Sequence, residues 1–587
     1  MSRKTKERKR HRKQLEKKIP SWIGLLSLGL LVVGTFLIRV IPGWDQVFIN
    51  GQVWFREVDA LYHMRLVDNM MINFPHPLEW DMLALYPDGM SVGYFPMLSW
   101  IIASFGHIFN YELVGAFLPP ILGALTLIPI YFICKKLWKD WVGLIACGLV
   151  MILPSELFHR TMLGFTDHHM LEIFFLVNTL LFLVFLSKER KFKWVILSGI
   201  SLGLYMSAWG GGLILVSLIW IWFFITFLLK LSRKEETIGF CWDISIIFGI
   251  GNLIFLPNIF FIKGLVPYAI LLIIIDISPI ILGLVSKRLS LRVILGGTIC
   301  CIILAGLLMQ LILPVMLLTA KSIFSSPTST IQEAMPVTPG VLISHYGTSF
   351  LLFLGGLIFL IKRKENLLIT VWFVFMLILG ISQRRWSYYF TICDAILAGY
   401  FIYLVSGWIA KSTKYAVVVV ICILLIATTI KSTIGIANLP GILTPGWYNS
   451  CIWLKENTPE VEGYYSLDAN KADYGVLSWW DYGDFIERIG HRAPCSNPMC
   501  QTTDIQWKVF LAQSEEEADS NLTGINYIMV DEDMVTGKLY AIVRLAINQG
   551  IYINPNIEPF IFKLWNETTT TWKKVYQYNE VKIFGRT

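Results

Sequence analysis

Three short segments concentrate carboxylates and imidazoles: Glu57-Val58-Asp59-Ala60-Leu61-Tyr62-His63, Thr166-Asp167-His168-His169-Met170-Leu171-Glu172 and Ser329-Thr330-Ile331-Gln332-Glu333. Asp-x-His on one loop supplies a hard oxygen and an imidazole, ligands suited to Mn²⁺ or Mg²⁺. A closed zinc site would want four ligands, usually with Cys, and none lies nearby. Taken singly, each cluster reads equally well as ordinary solvated loop residues. A fourth segment, Ser478-Trp479-Trp480-Asp481-Tyr482-Gly483-Asp484, is far more specific. A Trp indole beside a carboxylate makes a pocket that grips a hydroxyl while packing against a methyl. As a plain core motif it would be odd, because two indoles and an Asp all need partners when buried. Gln383-Arg384-Arg385-Trp386 adds guanidinium groups suited to bidentate phosphate binding. A snorkelling structural arginine is the equal alternative there.

The elements that must position these groups follow from composition. Of 587 residues, 55% are hydrophobic and only 15% charged, against roughly 25% charged in an average soluble domain. That excludes a purely cytosolic enzyme and leaves a polytopic membrane protein. The net charge of +8 sits in short clusters between apolar runs, which membrane topology explains better than nucleic acid does. The first eighteen residues hold ten Lys/Arg and two Glu. The apolar stretch from Trp22 to Val40 then reads as a retained first helix with its basic start in the cytoplasm, not a signal peptide. Further apolar segments fall near 113–134, 141–157, 171–187, 194–209, 213–230, 238–258, 265–285, 293–319, 347–361, 366–381, 388–409 and 415–435, about thirteen spans in all.

Threading these alternately puts every strongly basic short loop on the N-terminal side, as the positive-inside rule requires. The segments 41–112 and 320–346 and everything after about 437 then lie outside. The expected domains are a basic cytoplasmic N-terminus (1–21), a transmembrane domain (22–436) with external loops 41–112 and 320–346, and an external, mainly α/β soluble domain (437–587). The loop 320–346 carries Ser, Pro and Gly in a mix suited to ordering on ligand binding. Most of the ten cysteines lie in apolar segments as small hydrophobes. Cys451, Cys495 and Cys500 are external, so at most one disulfide forms there, and Cys495 and Cys500 are close enough in sequence to be candidates.

In this order and on one face, the motifs resemble the catalytic subunit of oligosaccharyltransferase, in its archaeal form (the AglB/STT3 family). The resemblance covers essentially the whole chain and is carried by Trp479-Trp480-Asp481-Tyr482-Gly483, by Thr330-Ile331-Gln332-Glu333, by Asp167-His168-His169 and by Asp59. It implies a GT-C-type membrane fold. The implied activity is transfer of an oligosaccharide from a dolichyl phosphate or pyrophosphate carrier to the side-chain amide of Asn-x-Ser/Thr. It also implies a Mn²⁺ or Mg²⁺ cofactor, a membrane-lipid environment and a single-subunit enzyme.

Residue by residue, the resemblance makes Asp59, Asp167 and His169 the metal ligands. Asp59 and Glu333 become the groups that contact the acceptor amide. Trp479, Trp480 and Asp481 become the reader of the Ser/Thr hydroxyl, and Arg385 the contact to the lipid phosphate. Lys538 and Ile542 have the Lys-x-x-x-Ile spacing of the motif that completes the Ser/Thr pocket, Ile542 packing on the methyl. Asp533 departs from that motif, lying five residues before the lysine rather than three. Two other readings remain. One is a different polyprenyl-phosphate-sugar-dependent GT-C transferase acting on hydroxyl or lipid acceptors, which has no need of the Trp-Trp-Asp segment. The other is a transporter, which would call for inverted repeats and a midplane charge.

Overall fold

The computed structural model describes residues 21–261, 266–288, 293, 296, 333, 335–363, 366–410, 413–499, 504–550 and 557–586. The basic N-terminus, Cys500 and most of the loop 320–346 lie outside them. Eight of the described helices, from Trp22–Val40 to Ala416–Ala437, are long and apolar enough to cross a membrane. A ninth span results if Pro339–Tyr346 and Ser349–Arg363, bent by 95° against each other, count as one. The count of about thirteen is therefore not reached on length. Segments expected near 141–157, 194–209 and 366–381 form apolar helices of only 13, 17 and 16 residues. The segment 293–319 lies almost wholly outside the described residues. The first of these short helices, Asp140–Ile152, stops because Leu153 is turned extended by the following Pro154, a residue before proline being disfavoured in the α region.

Between the first two spans lies a helix of a different kind, Val58–Asn73. Its residues Ala60 through Met70 are all buried, His63, Arg65, Asp68 and Asn69 among them. Buried polar side chains need partners, and each of these finds one on another segment. His63 Nε2 lies 3.1 Å from Asp167 Oδ1. Arg65 donates to Asp81 Oδ1 (3.2 Å) and to Glu487 Oε1 (3.1 Å). Asp68 accepts from the Tyr464 hydroxyl at 2.9 Å and pairs with Arg488 at 3.2 Å. Asn69 donates to the Ser466 carbonyl.

The globular C-terminal domain begins with helix Pro445–Asn457, whose Thr444 caps it by accepting from Trp447 N. Its five-stranded sheet runs Ala493–Pro494, Gly475–Leu477, Ile525–Asp531, Val581–Arg586, Trp572–Tyr578. The first three strands are parallel and the last two pair antiparallel. Pro494 sits on the edge strand, where a residue without an N–H is tolerated. The Trp-Trp-Asp-Tyr-Gly segment leaves the carboxyl end of strand Gly475–Leu477 as the 3₁₀ turn Trp480–Tyr482 and continues as helix Gly483–Arg488. A Cβ at Gly483 would stand 2.2 Å from the Ser496 carbonyl oxygen, so this position admits only glycine. That short helix carries Glu487 and Arg488, the partners of Arg65 and Asp68.

Removing one member of a buried charge cluster leaves the others uncompensated, at a cost of about 3–5 kcal/mol. Arg65→Ala is therefore expected to destabilise the junction by that amount in denaturant unfolding of the detergent-solubilised protein. An unchanged unfolding midpoint would show that the Arg65 cluster does not hold the domain to helix Val58–Asn73.

Candidate active site

Asp59 lies in the first turn of helix Val58–Asn73, where the helix dipole favours a carboxylate. His63, one turn on, faces the same side. Asp167 is delivered by a segment with extensive backbone pairing. Leu163 N–H donates to the Arg39 carbonyl, Gly164 N–H to Ala116, and Arg56 N–H to Gly164. Gly164 has φ +77°, and a Cβ there would meet Val47 Cγ2 at 2.9 Å. The Thr166 hydroxyl donates to the Gly115 carbonyl at 2.9 Å. These bonds fix the chain immediately before Asp167, and the span His169–Glu189 starts two residues later.

The two carboxylates feel each other. Burial, then the charges of Asp167 and Glu333, push Asp59 up to about 7. Burial alone would raise Asp167 too, but His168 and His169 hold it well below the usual carboxylate range. Asp167 Oδ1 takes the His168 backbone N–H and lies 2.5 Å from His168 Nδ1 and 3.1 Å from His63 Nε2. Its other oxygen, Oδ2, is buried without a hydrogen-bond partner and stands 3.2 Å from His169 Nε2. Two adjacent ligands of an octahedral ion bound at about 2.1 Å lie about 3 Å apart. This pair of atoms therefore fits a divalent cation. Among the described residues the tightest groupings of ligand atoms are His63, Asp167 and His168, and His168, His169 and Glu172. Asp59 stands outside both, linked to Asp167 through charge.

Glu333 reaches the same place from the other side. Arg160 Nη2 donates to its Oε2 at 2.7 Å, and Arg385 Nη2 lies 3.9 Å from Oε1. Burial would raise the Glu333 carboxyl, but Arg160 and Arg385 lower it below its ordinary value. Met335, two residues on, accepts from Arg384 N–H through its carbonyl, tying this loop to the turn Arg384–Trp386. Arg160 was not singled out from the sequence. The signal was available, since it is an arginine on a segment assigned to the side opposite the basic loops, the same anomaly that marks Arg385.

The Trp-Trp-Asp segment divides. Trp479 is buried in the core of the domain, Trp480 is half-buried, and Ile542 is fully buried in the same core. Asp481 lines a cavity of about 600 Å³ together with Val58, Thr444, Tyr482, Asp533 and Lys538. Lys538 Nζ lies 2.8 Å from Asp481 Oδ2, 3.8 Å from Asp533 Oδ2 and over the Tyr482 ring. Asp481 and Asp533 follow the carboxyl ends of the parallel strands Gly475–Leu477 and Ile525–Asp531, the side on which parallel sheets bind ligands. Val58, which also lines the cavity, is the neighbour of Asp59. Cys495 is buried, and its expected companion Cys500 lies outside the described residues.

Fold and site together define a multispanning membrane protein in which a carboxylate- and arginine-rich centre, beside the ends of the spans, faces a globular C-terminal domain. Comparison with known proteins identifies it further. The family described as oligosaccharyl transferase STT3, N-terminal, matches residues 30–363, and the AglB core domain matches 444–535. The chain is similar to a dolichyl-phosphooligosaccharide-protein glycotransferase of Archaeoglobus fulgidus, with 26% identity covering 88% of this chain and 71% of that one. A Haloferax volcanii dolichyl-monophosphooligosaccharide-protein glycotransferase is 24% identical over 88% of this chain, which spans 65% of its length. The fold is that of A. fulgidus AglB solved with an inhibitory peptide and a dolichol-phosphate: TM-score 0.80, 22% identity, 95% of this chain and 79% of that one. Structures of an A. fulgidus oligosaccharyltransferase tethered to an acceptor peptide with an NVT sequon, and of one with zinc and sulfate, match with a TM-score of 0.78 each. They are 24% and 22% identical, covering 90% and 94% of this chain and 71% and 78% of theirs. The chain belongs to the STT3 oligosaccharyl transferase family.

The free carboxylate oxygen beside His169 Nε2 yields a binding prediction. The purified protein is expected to take up one Mn²⁺ per chain in an equilibrium titration, and Asp167→Ala to abolish that uptake. Equal uptake by parent and Asp167→Ala would place the ion elsewhere.

Proposed function

We propose that this protein transfers an oligosaccharide from a dolichyl-phosphate-type carrier to the side-chain amide of Asn in Asn-x-Ser/Thr. The observation that carries this reading is one continuous arrangement. Asp59 is acted on by Asp167 and Glu333, Glu333 is met by Arg160 and Arg385, and Val58, the residue before Asp59, lines the same cavity as Asp481. The relatives' dolichyl-phosphate donors and the sequon peptide of the A. fulgidus enzyme support it.

A carboxamide nitrogen is a weak nucleophile because its lone pair is shared with the carbonyl. Asp59 and Glu333 accept hydrogen bonds from its N–H groups and favour a rotated, less conjugated amide. Asp167 and His169, with Asp59 from the first loop, would hold a divalent ion, Mn²⁺ or Mg²⁺. Such an ion supplies charge neutralisation for the departing phosphate oxygens. Arg385, whose Nη2 reaches only 3.9 Å from Glu333, presents its fork to the carrier phosphate. Arg160 holds Glu333 ionised and oriented.

In the cavity Asp481 accepts the hydrogen bond of the acceptor hydroxyl, with Trp480 beside it. Trp479 and Ile542 act from the core, holding the turn Trp480–Tyr482 and the helix behind Lys538 in place. A site built to pair with a hydroxyl rejects a peptide lacking it, because its own polar groups are left unpaired. In topology, the N-terminus is cytoplasmic, and residues after about 437 lie outside the cell membrane with the lipid-linked donor.

Two tests follow. In the reconstituted reaction, excess EDTA is expected to stop transfer and Mn²⁺ or Mg²⁺ to restore it, and Asp59→Ala to lower the rate at least about 10²-fold. Full activity in excess chelator would contradict the metal's role. A hydrogen bond to a charged group contributes about 1.5–3 kcal/mol, a factor of roughly 10 to 150. The preference for Asn-x-Thr over Asn-x-Ala is therefore expected to shrink by that order in folded Asp481→Ala. An unchanged ratio would remove Asp481 from hydroxyl recognition.

A further inference from the structure

Glu172 carries a charge into the first turn of the span His169–Glu189 and is wholly buried. An ionisable group at that depth needs partners, and Glu172 has them on both oxygens. The Tyr388 hydroxyl donates to its Oε2 at 2.9 Å and the Tyr389 hydroxyl donates to the same atom. Tyr389 is in turn 3.1 Å from the Tyr205 hydroxyl. On the other oxygen, Oε1, His169 Nδ1 stands in hydrogen-bond geometry at 3.0 Å, with His168 Nε2 at 3.2 Å. A carboxylate held by two tyrosine O–H donors has only acceptor sites to offer, and of the two His169 nitrogens only Nδ1 has hydrogen-bond geometry to a carboxylate, so the neutral ring carries its proton on Nδ1. The lone pair of the ring is then on Nε2, the nitrogen that faces the unpartnered Asp167 Oδ2 at 3.2 Å.

We propose that Glu172 is a positioning residue of the metal centre. It fixes the tautomer and ring orientation of His169, and through Tyr388 and Tyr389 it ties that ligand to the turn Arg384–Trp386. Metal-bound histidines generally donate their second ring N–H to a carboxylate or carbonyl, and loss of that partner typically weakens metal binding 10–100-fold. Here the partner lies one helical turn beyond the ligand on the same span. Its own tyrosines begin the helix Ser387–Ser406, directly after Arg384, Arg385 and Trp386. One hydrogen-bond chain thus runs from the metal ligand His169 to the arginine turn, so the ion and the phosphate contact are set by the same frame. The inference rests on the metal reading above.

The test is a Mn²⁺ titration followed by electron paramagnetic resonance of the free ion, without donor or acceptor, on parent, Glu172→Ala, Glu172→Gln and the double variant Tyr388→Phe/Tyr389→Phe. Glu172→Ala is expected to weaken Mn²⁺ binding 10–100-fold. Glu172→Gln, whose amide oxygen still accepts from Nδ1–H, is expected to recover most of that loss. The double tyrosine variant, which frees Glu172 to move, should fall between Ala and parent. Thermal melting in parallel separates positioning from folding: a merely structural Glu172 would lower the melting temperature and leave the Mn²⁺ affinity of the folded fraction at the parent value. Parent-level Mn²⁺ affinity in the folded Tyr388→Phe/Tyr389→Phe variant would overturn the proposal even if Glu172→Ala fails to fold. A parent that binds no Mn²⁺ would overturn the metal reading itself, whereas a binding parent with equally binding variants would overturn only the role of Glu172.

Discussion

The site depends on one constraint, the burial of a polar helix. Val58–Asn73 carries His63, Arg65, Asp68 and Asn69 at positions closed to solvent, and each must be paired or cost the desolvation of an unmet polar group. The pairs point in two directions. His63 meets Asp167 on the segment before the span His169–Glu189, and Arg65 and Asp68 meet Glu487 and Arg488 of the C-terminal domain. The helix that bears Asp59 is thereby fixed against the membrane side and the globular side together. Slippage of either contact would leave buried charge without a counterpart, so the distance from Asp59 to the Asp481 cavity is set by the same bonds.

Asp59, Asp167 and Glu333 act on one another, and the result is split: the Asp59 carboxyl is raised to about 7 while Asp167 and Glu333 are held low. Imidazoles do this for Asp167, and Arg160 does it for Glu333. At Asp59 burial and then the charges of Asp167 and Glu333 outweigh the lowering effect of His168 and Arg160. Asp484, just past the Trp-Trp-Asp segment, feels Asp59 and Asp81 from the domain side. It is buried with both oxygens unpartnered, and burial followed by Asp59 and Asp81 raises its carboxyl.

Much of this was legible in the sequence because its signals are local. Apolar runs and basic loops announce spans, and Asp-x-His and Trp-Trp-Asp-Tyr-Gly are contiguous. The α/β character of the last 150 or so residues followed from composition, and the mixed five-stranded sheet has it. What was not legible was non-local. Helix Val58–Asn73 shows neither an apolar run nor a clean amphipathic stripe, because its polar residues are buried by partners that lie far along the chain. Arg160, His63 and Glu172 acquire their roles only from groups such as Glu333, Asp167 and Tyr388. The indole of Trp479 and the side chain of Ile542, read as lining a pocket, lie in the core, since spacing along the chain does not say which face of a turn meets solvent. The described helices reach eight or nine spans by length, because Pro154 shortens one helix and other apolar helices have fewer than eighteen residues.

The central claim is that the transferred glycan ends on an amide nitrogen chosen by a hydroxyl two residues away. Its most direct test is the mass spectrum of the product made by the purified protein from a lipid-linked glycan extract and a peptide containing Asn-x-Thr, with Gln-x-Thr as the control. Fragmentation that preserves the linkage is expected to place the glycan on Asn, with no product from the Gln peptide. Glycan on the Thr hydroxyl, or equal modification of both peptides, would contradict the account.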